Sequence, residues 1–195
     1  MLSVVKSGGV LGIDGYSIDV EVNISQGLPQ FITVGLPDTA VKESKERVKS
    51  AIINSGFSFP LRKIIVNLAP ADIPKQGTLY DLPIAIGILS STNTIKNESI
   101  SDFAFVGELA LDGSLRQIRG ALAISSGLKN KGIKNLIIPE ENAFEASLIE
   151  GINVYGFSTL NEIVDFLNGD IEKKLLFLKL ALYLLITHPT LIFQR

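Results

Sequence analysis

At 195 residues, 46% of them hydrophobic and 19% charged, the chain has material for one compact domain with a real core, or one domain plus a short appendage. With 18 basic and 20 acidic side chains and a formal charge of -2, it carries no global field toward nucleic acid or anionic membrane, so any such binding must come from a local patch. The absence of cysteine excludes disulfides, thiolate metal sites and a cysteine nucleophile, and a single histidine, His188, leaves no histidine-built metal centre.

The opening Met-Leu-Ser-Val-Val-Lys-Ser-Gly-Gly lacks the charged, apolar and small-residue regions of a signal peptide, so a cytoplasmic protein is expected. Ser3 to Val5 and the run Tyr16 to Ile24 alternate apolar and polar side chains, which predicts half-buried antiparallel strands with turns at Gly8-Gly9 and Asp14-Gly15. Phe31 to Val34 reads as a third strand, closed by Gly35-Leu36-Pro37, and the three suggest a β-meander. From Asp38, an N-cap by type, Ala40, Val41, Ser44, Val48, Ala51, Ile52 and Ser55 recur at helical spacing, and Gly56 ends the helix.

Lys63 to Leu68 is short, apolar and β-branched, a buried strand that runs into a loop from Ala69 to Tyr80. Asp81 is placed to cap a helix with Pro83 in its first turn and Ile84, Ile86, Ile88 and Leu89 beyond, apolar all round and therefore central. A strand at Phe103 to Val106, a hairpin through Asp112-Gly113 and a helix from about Arg119 to Lys131 come next. A strand at Asn135 to Ile138, a helix from about Glu140, a strand at Asn153 to Tyr155 and a helix capped by Ser158 or Thr159 complete a mixed α/β (α+β) pattern over residues 1–170.

Residues 171–195 break this grammar. After Lys174 comes a nearly featureless apolar run with one interior lysine, too short for the roughly 20 apolar residues of a membrane span. No membrane span is expected, and the segment is read as a hydrophobic terminal helix or an unnatural tail from truncation, gene splitting or a shifted frame, with an interfacial anchor or a deliberately standalone domain as the alternatives.

Among the charged residues, Lys42, Lys45, Arg47 and Lys49 interleave with Glu43 and Glu46, which predicts a solvated, salt-bridged helix face. Arg116 and Arg119 flank the turn into the following helix with only Asp112 close in sequence, and they are the preferred basic contacts. Asp14, Asp72 and Asp81 are assigned turn and cap duties rather than a cation site. Phe31, Phe57, Phe59, Phe103, Phe105 and Phe144 are expected to pack in the core and not to form a stacking platform for single strands.

Two segments carry a family resemblance. Asn67-Leu68-Ala69-Pro70-Ala71-Asp72-Ile73-Pro74-Lys75-Gln76-Gly77-Thr78-Leu79-Tyr80-Asp81-Leu82-Pro83-Ile84-Ala85-Ile86-Gly87-Ile88-Leu89 resembles the signature of the magnesium-chelatase-related ATPases of the ComM/YifB type. Gly12 to Gly15, Ile32 to Asp38 and Glu43 to Val48 are similar to the same family, and Gly107 to Gly120 resembles a strand–turn–helix block of the Lon proteases. The resemblance implies the ribosomal protein S5 domain 2-like fold of the Lon proteolytic domain, in the place that precedes an AAA+ module in the ComM/YifB family.

Lon enzymes cut with a serine activated by a neutral lysine, and both partners are required. Laying their Pro-Lys-Asp-Gly-Pro-Ser pattern on Pro74-Lys75-Gln76-Gly77-Thr78-Leu79 puts Leu79 at the nucleophile position, and the same alignment puts Leu122 at the base. Thr78 and Lys75 are the nearest alcohol and amine, but a one-residue shift turns the hydroxyl off the line of attack.

No Gly-x-x-x-x-Gly-Lys-[Ser/Thr] loop occurs, so ATP and Mg2+ are expected in the parent family's ATPase module and not in this chain. The resemblance implies a non-catalytic accessory domain of a hexameric AAA+ motor acting on branched DNA in transformation and recombination. Its partners would be that module and DNA, through contacts at Lys75, Gln76, Arg116 and Arg119 in a retained cleft. The alternative on the fold alone is an ATP-dependent Lon-type serine protease domain, and a third, a tetrapyrrole-binding chelatase subunit, finds no metal ligands here.

Overall fold

The computed structural model describes residues 1–96 and 98–173, so the apolar run after Lys174 lies outside the described residues. Nine strands and five α-helices follow in chain order: β1 Leu2–Leu11, β2 Asp14–Ser25, β3 Gln30–Val34, α1 Thr39–Asn54, β4 Lys63–Ala69, α2 Asp81–Ser91, β5 Phe103–Phe105, β6 Glu108–Leu109, β7 Leu115–Arg116, α3 Ala121–Asn130, β8 Asn135–Pro139, α4 Glu140–Ser147, β9 Asn153–Phe157 and α5 Leu160–Asn168. A short 3-10 turn at Glu98–Asp102 precedes β5.

Seven strands form one mixed sheet in the order β3-β4-β2-β1-β5-β8-β9, and β6 and β7 pair separately as a small hairpin. Only β2 runs against the other six. The carboxyl ends of β1, β4, β5 and β8 therefore share one edge of the molecule. One core lies beneath α1, α2 and α5, and a second beneath α3 and α4.

The alternation in β2 explains its place. Ile18, Val20, Val22 and Ile24 are buried under α2, while Asp19 and Glu21 on the opposite face bond Lys6 and Asn67. α2 buries Leu82, Ile84, Ala85, Ile86, Ile88 and Leu89, as a helix apolar on every side must, and it packs on β1 and β2. Thr159 caps α5 by accepting the backbone N–H of Glu162, and Asp38 caps α1 by accepting that of Val41 at 2.8 Å.

Gly8-Gly9 and Asp14-Gly15 are not turns; they lie inside the β1–β2 ladder, whose turn is Gly12-Ile13, with Gly12 at φ +65°. Gly8 serves close packing, since a Cβ there would meet Ile124 Cγ2 of α3 at 2.8 Å. The opening strands are no meander either, because β3 pairs in parallel with β4 and never touches β2. Asp81 does not cap α2: it is the first helical residue, Tyr80 precedes it without a side-chain bond, and its carboxylate turns inward to Arg47.

Phe105 lies in the core as expected, Phe31, Phe57, Phe59 and Phe103 pack against it while only partly buried, and Phe144 is 57% exposed on α4.

Candidate functional site

A cleft of about 520 Å3 opens past the carboxyl ends of β1 and β5, the edge where open α/β sheets commonly seat ligands. Val10 at the end of β1, Gln76 to Leu79 from the loop after β4, Glu108 from the hairpin and Gln117 to Arg119 before α3 line it. The cleft thus brings together four of the residues marked in the sequence, Gln76, Thr78, Leu79 and Arg119.

The loop that forms its floor is held from both sides. The carboxylate of Asp38 accepts the N–H of Val41 with one oxygen and that of Gly77, at 3.0 Å, with the other, so one side chain starts α1 and pins the loop. Backbone bonds from Lys75 N to Leu36 O at 3.1 Å and from Asp38 N to Lys75 O at 3.0 Å join the same two segments. On the far side the Tyr16 hydroxyl donates to Pro74 O at 3.2 Å and lies 3.4 Å from the Tyr80 hydroxyl. Burial pushes the Tyr80 phenol well above its ordinary range, with the Tyr16 contact adding to the effect.

Lys75 is buried completely, with its ammonium donating to the carbonyl of Pro70. Burial lowers its pKa, and Asp72 opposes that shift. Thr78 donates its hydroxyl to Glu108 Oε2, while Glu108 Oε1 receives Arg116 at 3.4 Å. The alcohol and the amine that were nearest to a displaced Thr–Lys dyad therefore have separate partners. Leu79 is half-buried between the two cores, and Leu122 is 41% exposed on the first turn of α3. Neither hydrocarbon can attack a carbonyl or accept a proton.

Behind the cleft, Arg47 grips the fully buried Asp81 through Nε at 2.7 Å and through its terminal nitrogen at 3.1 Å, with a further bond from that nitrogen to Ala40 O at 2.8 Å. Asp81 Oδ2 also accepts the N–H of Leu109 at 3.3 Å. Burial pushes the Asp81 carboxyl up to about 6 against the pull of Arg47, and the same bond raises the Arg47 pKa. This pair ties α1, α2 and the β6–β7 hairpin together directly beneath Thr78 and Glu108.

Arg47, expected on the solvated face of α1, instead turns inward to the buried Asp81, and reading the sequence missed Glu108 and the second bond of Asp38. One signal was present for Arg47: it falls three residues after buried Ser44 and four before buried Ala51, so helical spacing already sets it on the inner face. Arg116 and Arg119 are exposed as expected, but Arg116 shares Glu108 with Thr78 instead of standing free. Among the described residues no three His, Cys, Asp or Glu side chains could hold a metal ion, and no helix is long and apolar enough to cross a membrane.

Residues 20–142 match the family model described as subunit ChlI of Mg-chelatase. The chain belongs to this family. Similar proteins include competence protein ComM of Haemophilus influenzae, 46% identical over 86% of this chain and 33% of that protein, and the protein YifB of Escherichia coli, 44% identical over 86% and 33%. Lon protease 2 of Bacillus subtilis is 31% identical over 68% of this chain and 24% of that protein. The chain thus spans about a third of the length of the ComM and YifB relatives it matches. The match to the ChlI family takes in every segment that lines the cleft except Val10 of β1, together with the α1–α2 pair behind it.

Proposed function

We propose that the chain is a non-catalytic accessory domain of a larger Mg-chelatase-like ATPase of AAA+ type, and that its cleft holds a partner segment without cutting it. The observation that carries this reading is that Thr78 is engaged by Glu108 and Lys75 by Pro70, beside the hydrocarbons Leu79 and Leu122 that the alignment with the Lon pattern sets where an alcohol and an amine are needed. ATP and Mg2+ belong, on this reading, to the ATPase module of the parent protein, as does assembly into a ring. That the Haemophilus relative is a competence protein supports a parent that works on DNA during transformation and recombination.

Two measurements test it. Incubation with an active-site-directed serine or threonine hydrolase probe is expected to leave the protein unlabelled, and fluorogenic peptides uncleaved. Labelling that disappears in Thr78→Ala would establish the rival reading, a Lon-type protease domain, which the Bacillus Lon similarity favours. Salt-dependent binding of branched DNA tests the DNA half of the proposal, with Arg116→Ala and Arg119→Ala reporting on the surface beside the cleft.

A further inference from the structure

At the amino ends of β3 and β4, on the edge of the sheet opposite the cleft, a groove of about 220 Å3 lies between α1 and the segment 59–62. Phe31 and Phe59 are half-buried, packed on the core and lining the groove. Lys45 and Lys49 stand one turn apart on the exposed side of α1, their Cβ atoms about 5–6 Å apart by helical geometry, and Arg62 completes the lining.

Charge at this groove is poorly compensated. Among the described residues Lys49 and Arg62 have no carboxylate partner, and Lys45 has only Glu46, at 3.4 Å with both side chains largely in water. An exposed pair of that kind is worth little and yields readily to a better anion. Three cations around one cavity, on a chain whose net charge is -2, mark a place where a polyanion would gain.

The rings narrow the class of polyanion. Cations beside aromatic side chains match a chain that alternates phosphates with flat bases, the pairing by which single strands are held without sequence preference. A duplex keeps its bases stacked out of reach of the rings, and a polyanion of carboxylates alone would leave the rings unmatched. We propose that this groove holds a short stretch of single-stranded nucleic acid, its phosphates on Lys45, Lys49 and Arg62 and a base against Phe31 and Phe59. The proposal rests on the DNA reading above and places the contact at the amino end of the sheet.

The test is fluorescence anisotropy of a labelled oligothymidylate with the full chain, across a salt series. Three phosphate contacts predict a slope of log affinity against log salt of about -2. Lys49→Gln/Arg62→Gln should reduce that slope to about -0.7 and cut affinity about tenfold or more at low salt. Both positions are exposed, so the fold should be retained, which far-UV circular dichroism checks.

Phe59→Leu, which keeps a core-filling hydrocarbon, should weaken binding about tenfold and leave the slope alone. Unchanged affinity in the double glutamine variant overturns the groove, and loss in Arg116→Ala would then return the DNA contact to the cleft side. No single-strand binding by the unmodified chain also overturns it, whereas branched-duplex binding under the same conditions would keep the DNA reading of the parent. Displacement by polyglutamate as effective as by unlabelled oligothymidylate would overturn it in favour of an acidic peptide.

Discussion

At the carboxyl end of the sheet Arg47 holds Asp81 with two nitrogens, Asp38 bonds both a helix start and a loop, and Lys75 is sealed against Pro70; at the amino end Lys49 and Arg62 stand exposed with no carboxylate among the described residues. The same residue types thus do different work according to what surrounds them. A buried cation must have partners or lose its charge, and once bonded inward it is no longer offered to a ligand. An exposed cation adds little to stability and remains available for recognition. Mutations at the two ends should therefore separate folding from binding.

The largest effect is expected from Arg47→Met, which keeps the bulk of the side chain and strands Asp81 in the core. Breaking a buried ion pair from one side costs about 3–5 kcal/mol, read as a lower urea midpoint near pH 8. The loss should shrink near pH 5, because an unpartnered Asp81 can take up a proton. A uniform loss at both pH values would break the assignment of Asp81 as the group left behind.

Asp81 itself makes the next prediction, and its sign follows from the shift. Its folded pKa, about 6, lies above the ordinary value of 3.8, so between these limits the folded protein binds more protons than the unfolded one. The contribution is complete below about pH 4 and is lost as pH rises through about 6, by at most about 3 kcal/mol at roughly 1.4 kcal/mol per unit. Asp81→Asn should flatten the urea-derived stability profile in that window relative to the unmodified chain. A profile with the same slope in both proteins would show that other groups set it.

Asp38→Ala removes the α1 cap and the bond to Gly77 together. The expected cost is about 2 kcal/mol, from a cap and one further charged hydrogen bond to a partly exposed residue. Amide exchange distinguishes the two roles, since Val41 and Gly77 should both lose protection. If only Val41 changes, the carboxylate is a cap alone and the loop stands without it.

Local elements were legible in the sequence because their signals are local: the alternation of β2, the all-apolar α2 and the stripe of α1 each follow from spacing within one turn or one strand. Sheet order was not, since the parallel pairing of Phe31 with Ile64 joins residues across a whole helix, and nothing near either one announces it. Gly8-Gly9 misled because a glycine pair signals a turn from sequence, whereas here the missing side chain admits α3 against the sheet. At the site, the motif drew attention to the loop that lines the cleft. Lys75 reads as an exposed loop lysine until the chain folding back over it is seen, and the partner of Asp81 lies 34 residues away.

The smallest predicted effect is the one that sharpens the contrast most. Lys49→Gln/Arg62→Gln removes two charges that take no part in any ion pair among the described residues, so the urea midpoint should move by no more than about 0.5 kcal/mol equivalent. Removing two like charges that share a groove can even stabilise slightly, most visibly at low ionic strength where screening is weak. The unequal response to one class of substitution, severe for a buried arginine and neutral for exposed cations, would place structural cost at the carboxyl end and leave the cations of the amino end without a structural role. A loss of about 2 kcal/mol or more in the double variant would instead make the groove a structural element, and its cations would belong with Arg47.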